Sequence, residues 1–148
     1  MKQVTANKKA SHNYFILDRY EAGIVLTGTE IKSIRQGKIN INDSYARIKD
    51  LECFLVNTHI SKYQYGTIYN HDETRERKLL LNKHEIMKLY SKLQTEDLTL
   101  IPIRVYFNEG LCKVEIALCK GKKLHDKRED SKEKDQELRT QKSLKHYY

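Results

Sequence analysis

A chain of 148 residues, 32% of them charged and with 28 Lys or Arg against 20 Asp or Glu, carries a formal net charge of +8. That length suits one domain with an ordinary core, and that charge favours a polyanion, nucleic acid first, as partner. No stretch approaches the roughly 18 apolar residues of a membrane span and Met1 to Ala10 lacks the apolar segment of a secretory signal, so a cytoplasmic protein without membrane contact is expected.

In chain order, Asn7-Lys8-Lys9-Ala10-Ser11-His12-Asn13-Tyr14 reads as a short basic arm ahead of the first strand. Its cations suit phosphates and its ring suits a base, where stacking adds about 1–3 kcal/mol, although a flexible segment ending in a core tyrosine has the same composition. Strands are predicted over residues 14–20 and 23–27, with Glu21-Ala22-Gly23 between them. A carboxylate there can accept hydrogen bonds from a base edge or a ribose hydroxyl, or serve simply as a turn residue. A helix begins near Thr29 and runs to Gln36, with Ile31 and Ile34 on one face, Lys32 and Arg35 sharing the solvent face, and Gly37 as its stop. Strands follow over residues 44–49 and 53–57, joined by Asp50-Leu51-Glu52, and then over 78–81.

The second helix carries a stronger signal. Asn82 is its cap and Glu85 the box partner, and Ile86, Leu89, Tyr90 and Leu93 form a stripe that reads as core packing. Strands over 99–107 and 111–119 close through Asn108-Glu109-Gly110, and Pro102 inside the first of them marks an edge or a bulge. In the last strand Cys112, Val114, Ile116 and Leu118 share a buried face while Lys113 and Glu115 point to solvent. The three cysteines, Cys53, Cys112 and Cys119, lie in apolar runs without C-x-x-C spacing, which predicts reduced, buried thiols and neither disulfides nor a zinc site.

Several short antiparallel strands interrupted by helices, on a basic chain, fit a mainly β domain over residues 1–119: a closed barrel of the oligonucleotide-binding type with flanking helices. Periodicity alone leaves a sandwich open. Residues 120–148 differ in kind, with ten Lys or Arg against six Asp or Glu and almost nothing apolar. Such a tail cannot offset its ordering entropy by burial, and is expected to be disordered until it folds on an anionic surface. Its densest motif is Lys120-Gly121-Lys122-Lys123-Leu124-His125-Asp126-Lys127-Arg128, where the glycine permits close backbone approach to a ligand. Catalysis is not indicated. His125 and Asp126 are adjacent and cannot readily aim at one another, no Ser or Cys nucleophile is placed beside them, and Glu21 has no partner carboxylate. The other histidines lack metal-ligand spacing, so neither metal nor cofactor is expected.

Four of these stretches, in this order along the chain, carry a resemblance. They are Asn7-Lys8-Lys9-Ala10; residues 20–38, from Tyr20-Glu21-Ala22-Gly23 to Arg35-Gln36-Gly37-Lys38; Arg77-Lys78-Leu79-Leu80-Leu81; and Lys120-Gly121-Lys122-Lys123 followed by His125-Asp126-Lys127-Arg128. Together they resemble the small protein B family, the partners of transfer-messenger RNA in bacterial ribosome rescue. The resemblance implies a six-stranded oligonucleotide-binding barrel that holds the transfer-RNA-like domain of that RNA, through Asn7, Tyr14 and Glu21 with basic support from Lys32 and Arg35. It implies that the tail, through Gly121, Lys122, Lys123, His125, Asp126, Lys127 and Arg128, becomes helical in the empty messenger channel near the decoding centre of a stalled ribosome. Alanyl-tRNA synthetase and elongation factor Tu with GTP would then be indirect partners that supply charging and delivery. Two departures from the family pattern, Leu51 and Asp97 where glycines are usual, are expected to alter turn geometry only. The rival readings are a general ribosome-associated RNA-binding protein on the same barrel and, more remotely, a nuclease.

Overall fold

In the computed structural model, which describes residues 1–66 and 70–122, nine strands and three helices follow one another along the chain. They are β1 (Lys2–Ala6), α1 (Ala10–Asn13), β2 (Tyr14–Ile24), α2 (Gly28–Arg35), β3 (Ile39–Asn40), β4 (Tyr45–Lys49), β5 (Glu52–Val56), β6 (His59–Ile60), β7 (Arg77–Leu80), α3 (Lys83–Thr95), β8 (Thr99–Asn108) and β9 (Leu111–Gly121). The tail expected to be disordered, beyond Lys122, lies outside the described residues.

Hydrogen bonding runs β8-β4-β5-β7-β2-β9 and returns from β9 to β8, so six antiparallel strands close into a ring. β1 lies outside the ring, paired with residues 104–107 of β8, while β4 meets the same strand at Leu100. β3 and β6 form a separate two-stranded ladder. Closure decides between the barrel and the sandwich that periodicity left open, and it is written in the long-range pairing of β8 with β4, not in any local pattern.

Ile34 of α2 and Leu89 of α3, both fully buried, join Ala22, Leu55, Leu79, Leu100 and Ile116 in one apolar core. Both helices start on the caps their sequences signal. Thr27 and Asn82 each accept from the backbone N–H three residues on, and Glu30 and Glu85 reach back to the cap N–H. Tyr90 departs from the expected stripe and is exposed. A smaller cluster forms on the opposite side of β8 and β9, where Ala10 of α1 covers Ile101, Ala117 and Cys119. The solvent face expected for β9 is therefore wet only in part.

Two further expectations are corrected. Glu21-Ala22-Gly23 is not a break between strands, because Ala22 is fully buried and β2 pairs continuously with β9 from Asp18 to Gly23. Gly23 lets Leu80 approach closely: a Cβ there would stand 3.3 Å from the Leu80 Cβ, tighter than an ordinary contact. The basic arm is not ahead of the first strand, since β1 precedes it and α1 lies within it. The Pro102 reading holds, with the register of β8 on β9 shifting between Pro102 and Arg104. The cysteines behave as small hydrophobes, and burial pushes the thiols of Cys53 and Cys112 up to about 11 and that of Cys119 to about 12.

Candidate nucleic-acid interface

Alternation along β2 turns Glu21 outward while Ala22 points into the core. Directly opposite stands Glu115 of β9, a like-charge pair that would be unfavourable alone. It is offset by cations: Arg104 Nε lies 3.0 Å and Arg19 Nη1 3.2 Å from the two Glu115 oxygens. The phenol of Tyr106 donates to Glu21 Oε2, and the Arg104 guanidinium sits 4.9 Å from the Tyr106 ring centroid. Burial, with Glu21 beside it, pushes Tyr106 up to about 12, so it remains a donor at any physiological pH. One oxygen of the exposed Glu21 is thus fixed by the protein, and on the same outer face stand Arg19, two residues before it on β2, Lys113, two residues before Glu115 on β9, and Arg104, bound to Glu115. That is an arrangement in which flanking cations can take phosphates and a carboxylate can take an N–H or a ribose hydroxyl.

Two residues along β2, Gly23 pairs with Leu80, which is half-exposed. These two, with Ile24, Phe107, Lys113 and Arg35, line an apolar cleft of about 270 Å3 rimmed by two cations. Arg35 lies 5.3 Å from the Phe107 ring centroid, so its guanidinium is positioned by a ring. The exposure of Leu80 was not legible in a run of three leucines. A strand alternation of buried Leu79 and outward Leu80 was its one available signal.

Asn7 and Tyr14 come together elsewhere. Both line a polar cleft of about 410 Å3 that also takes in Lys9, Asn13, Asn42 and Tyr45. Asn7 is buried, its Nδ2 donating to the carbonyls of Pro102 at 3.2 Å and Ile41 at 3.4 Å while its Oδ1 accepts from the Lys9 N–H at 3.2 Å. Its side chain shapes the cleft by holding the chain between β1 and α1. Tyr14 is half-buried against the small cluster under α1 and pairs with Gly121. Seven residues of strand separate Tyr14 from Glu21, about 23 Å, so the five candidate positions fall in separate groups.

Lys32 and Arg35 depend on α2, and α2 is held by an ion-pair network that sequence reasoning missed. Glu30 is fully buried and accepts from Arg75 at 2.6 and 3.0 Å, from the Thr27 N–H at 2.8 Å, and from Nε of Arg77, itself fully buried. Burial pushes the Glu30 carboxyl up, but the bonds from Arg75, Thr27 and Arg77 outweigh it and hold the group below its ordinary value. Arg77 also donates to the carbonyls of Thr58, Asp72 and Glu73. A buried arginine in a strand is legible only once Glu30 is known to face it.

At the end of β9, Gly121 pairs with Tyr14, and the Lys122 N–H and Nζ donate at 2.9 Å to the carbonyls of Asn13 and Ser11. The ammonium lies 4.9 Å from the Phe15 ring centroid. Gly121 and Lys122 therefore sit with the barrel, while Lys123, His125, Asp126, Lys127 and Arg128 lie outside the described residues. Among the described residues no group of three or more His, Cys, Asp or Glu side chains is placed to hold a metal ion, and no helix is long and apolar enough to cross a membrane.

The "SmpB protein" family model matches residues 4–146. The chain is 56% identical over 135 residues to the SsrA-binding protein of Geobacter metallireducens, covering 91% of this chain and 88% of that one. It is 52% identical over 146 residues to the SsrA-binding protein of Moorella thermoacetica, covering 98% and 94%. A solved chain described as "tmRNA-SmpB: a journey to the center of the bacterial ribosome" superposes with a TM-score of 0.67 at 48% identity, covering 87% of this chain and 92% of that one.

Proposed function

The chain belongs to the SmpB protein family, and on that footing we propose that it is the RNA-binding adaptor of trans-translation. It binds the transfer-RNA-like domain of transfer-messenger RNA and brings it to stalled ribosomes. The observation that carries this is identity above one half, over nine tenths of the chain, to proteins named for binding SsrA. The outer face around Glu21 supports it from the residues upward, with a carboxylate fixed by Tyr106 among Arg19, Arg104 and Lys113.

The finer assignment proceeds from that reading. Glu21, Lys32 and Arg35 meet the RNA directly, and Tyr14 offers a half-exposed ring at the second cleft. Asn7 acts by holding that cleft open, since its amide is taken up by backbone carbonyls. Domain 1–119 binds one RNA, while Gly121 to Arg128 lead the tail toward the small-subunit decoding centre and messenger channel. A channel filled by messenger excludes the tail sterically, so selectivity for stalled ribosomes arises by competition without chemistry on this chain. Alanyl-tRNA synthetase and elongation factor Tu with GTP supply the charging and delivery. The working compartment is the cytoplasm.

A competition titration at near-physiological salt, transfer-messenger RNA against bulk transfer RNA, tests the adaptor. Selective binding is expected, with Glu21→Ala or Tyr14→Ala weakening it by about 1–3 kcal/mol. Equal affinity for both RNAs would reduce the protein to a general RNA-binding barrel. Cleavage of labelled RNA that disappears in His125→Ala would instead establish a nuclease.

A further inference from the structure

Beside α2 stands a pair of rings that lines neither of the two clefts. Tyr63 and Tyr65 meet edge to face, with centroids 5.6 Å apart and planes at 71°. The Lys32 ammonium lies 5.4 Å from the Tyr63 centroid on its way to solvent. Tyr65 is 72% exposed, the most exposed aromatic side chain among the described residues, so burial does not account for a large ring there. The turn carrying the rings is held from both sides. The Gly66 N–H donates to the Tyr63 carbonyl at 2.9 Å, and the Asn70 side chain donates to that carbonyl at 2.9 Å while accepting from the Tyr63 N–H at 3.2 Å. A Cβ on Gly66 would lie 2.3 Å from Asn70 Nδ2, so only glycine lets this clamp close. Lys62 adds a second exposed cation next to the rings.

We propose that the Tyr63–Tyr65 pair, with Lys32, is a stacking platform for an unpaired nucleotide of the same RNA that the Glu21 face binds. The inference rests on the RNA-binding reading above. An exposed ring fixed in orientation loses little entropy on stacking, and any base offers it a π-face. An adjacent ammonium supplies the phosphate contact. Continuity joins the platform to the rest of the surface. Arg35, at the cleft beside Leu80, and Lys32, beside Tyr63, are three residues apart on α2 and so neighbours on its solvent face. Gly23, two residues along β2 from Glu21, lines the cleft with Arg35, so the two cations link that end of the Glu21 face to the platform.

The chain contains no tryptophan, so Tyr65→Trp installs a single fluorophore at the platform on an exposed turn that tolerates the ring. Titration of the full-length Tyr65→Trp protein with transfer-messenger RNA is expected to quench its emission in step with binding. Tyr65→Ala is expected to lose roughly 5- to 150-fold in affinity with an unchanged salt slope, and Tyr65→Phe to bind as the unaltered protein does. Lys32→Ala should instead lower the salt slope by about one. Full RNA binding with unaltered tryptophan emission and an unaltered Tyr65→Ala affinity would overturn the platform and leave the adaptor reading standing. Failure of the unaltered protein to bind the RNA would overturn both.

Discussion

At the scale of single residues, the turn between β4 and β5 holds the clearest conflict between side chain and backbone. Asp50 and Leu51 have φ of 53° and 60°, the left-handed pair that a two-residue hairpin demands. Aspartate tolerates that region, but leucine does not, and Leu51 is 47% exposed, so little packing offsets the strain. The left-handed conformation costs a non-glycine residue about 1–2 kcal/mol, and glycine's greater freedom in the unfolded chain returns about half of that. Leu51→Gly is therefore expected to stabilise the fold by up to about 1 kcal/mol, read as a higher denaturant midpoint at unchanged slope. A lower midpoint would mean that Leu51 packs in solution as it does not here. The family resemblance marks this position as a departure from a usual glycine, so the site of the strain is legible in advance, whereas its sign needs the backbone angles. The same division holds at Glu21. Its outward chemistry is readable from one residue, but its partner Tyr106 lies 85 positions away, and no local pattern joins the two.

At the scale of elements, caps and stops are local signals and both principal helices are legible from them, while strands whose identity lies in their partners are not. β1 has one branched apolar residue at its centre, Val4, and is a strand because β8 offers residues 104–107 to pair with. Glu21-Ala22-Gly23 resembles a turn in isolation and becomes strand because β9 supplies a partner for each residue. α2 shows how the two kinds of information meet. Its capping carboxylate, Glu30, is also the buried anion that receives Arg75 and Arg77, so one side chain starts the helix and ties it to β7. Removing one partner of a buried pair leaves the other charge uncompensated, at about 3–5 kcal/mol, so Arg77→Ala should bring the fold close to its stability limit. The milder Glu30→Gln isolates the charge. Because the folded Glu30 carboxyl is held below its ordinary value, its stabilisation is complete above the ordinary carboxylate range and is lost as pH falls through the lower folded value. Denaturation midpoints followed from about pH 6 down to pH 2 should fall more steeply for the unaltered protein than for Glu30→Gln. Parallel curves would show that Glu30 does not titrate with folding. Since α2 presents Lys32 and Arg35, a loosened helix should also weaken RNA binding more than its own lost charge explains.

At the scale of the whole molecule, the ring of six strands gives the RNA a rigid surface and gives the tail a fixed point of departure. β9 ends at Gly121 against Tyr14, and Lys122 is bonded to the carbonyls of Ser11 and Asn13, so the chain leaves the barrel at α1 and not at the Glu21 face. Along β2 those two places are about 23 Å apart, more than twice the screening length at physiological salt of about 8 Å. Lys120 and Lys122, at the point of departure, then add little to the field at Glu21. The resemblance assigns Lys127 and Arg128 to the ribosomal step, and this separation gives that assignment a quantitative form. If neither cation touches transfer-messenger RNA, Lys127→Ala with Arg128→Ala leaves both its dissociation constant and the salt dependence of binding unchanged, while peptide tagging in a stalled-translation assay is abolished. If both cations neutralise phosphates of that RNA, the salt slope falls by about two and affinity falls with it. Lys122→Ala is the internal control. Its ammonium serves the α1 side of the barrel, so it should perturb RNA binding at the Tyr14 cleft where the paired tail change does not. Unchanged binding with lost tagging would divide the molecule into a barrel that holds one RNA and a tail that inspects another, and a joint loss of both would collapse them into a single basic surface.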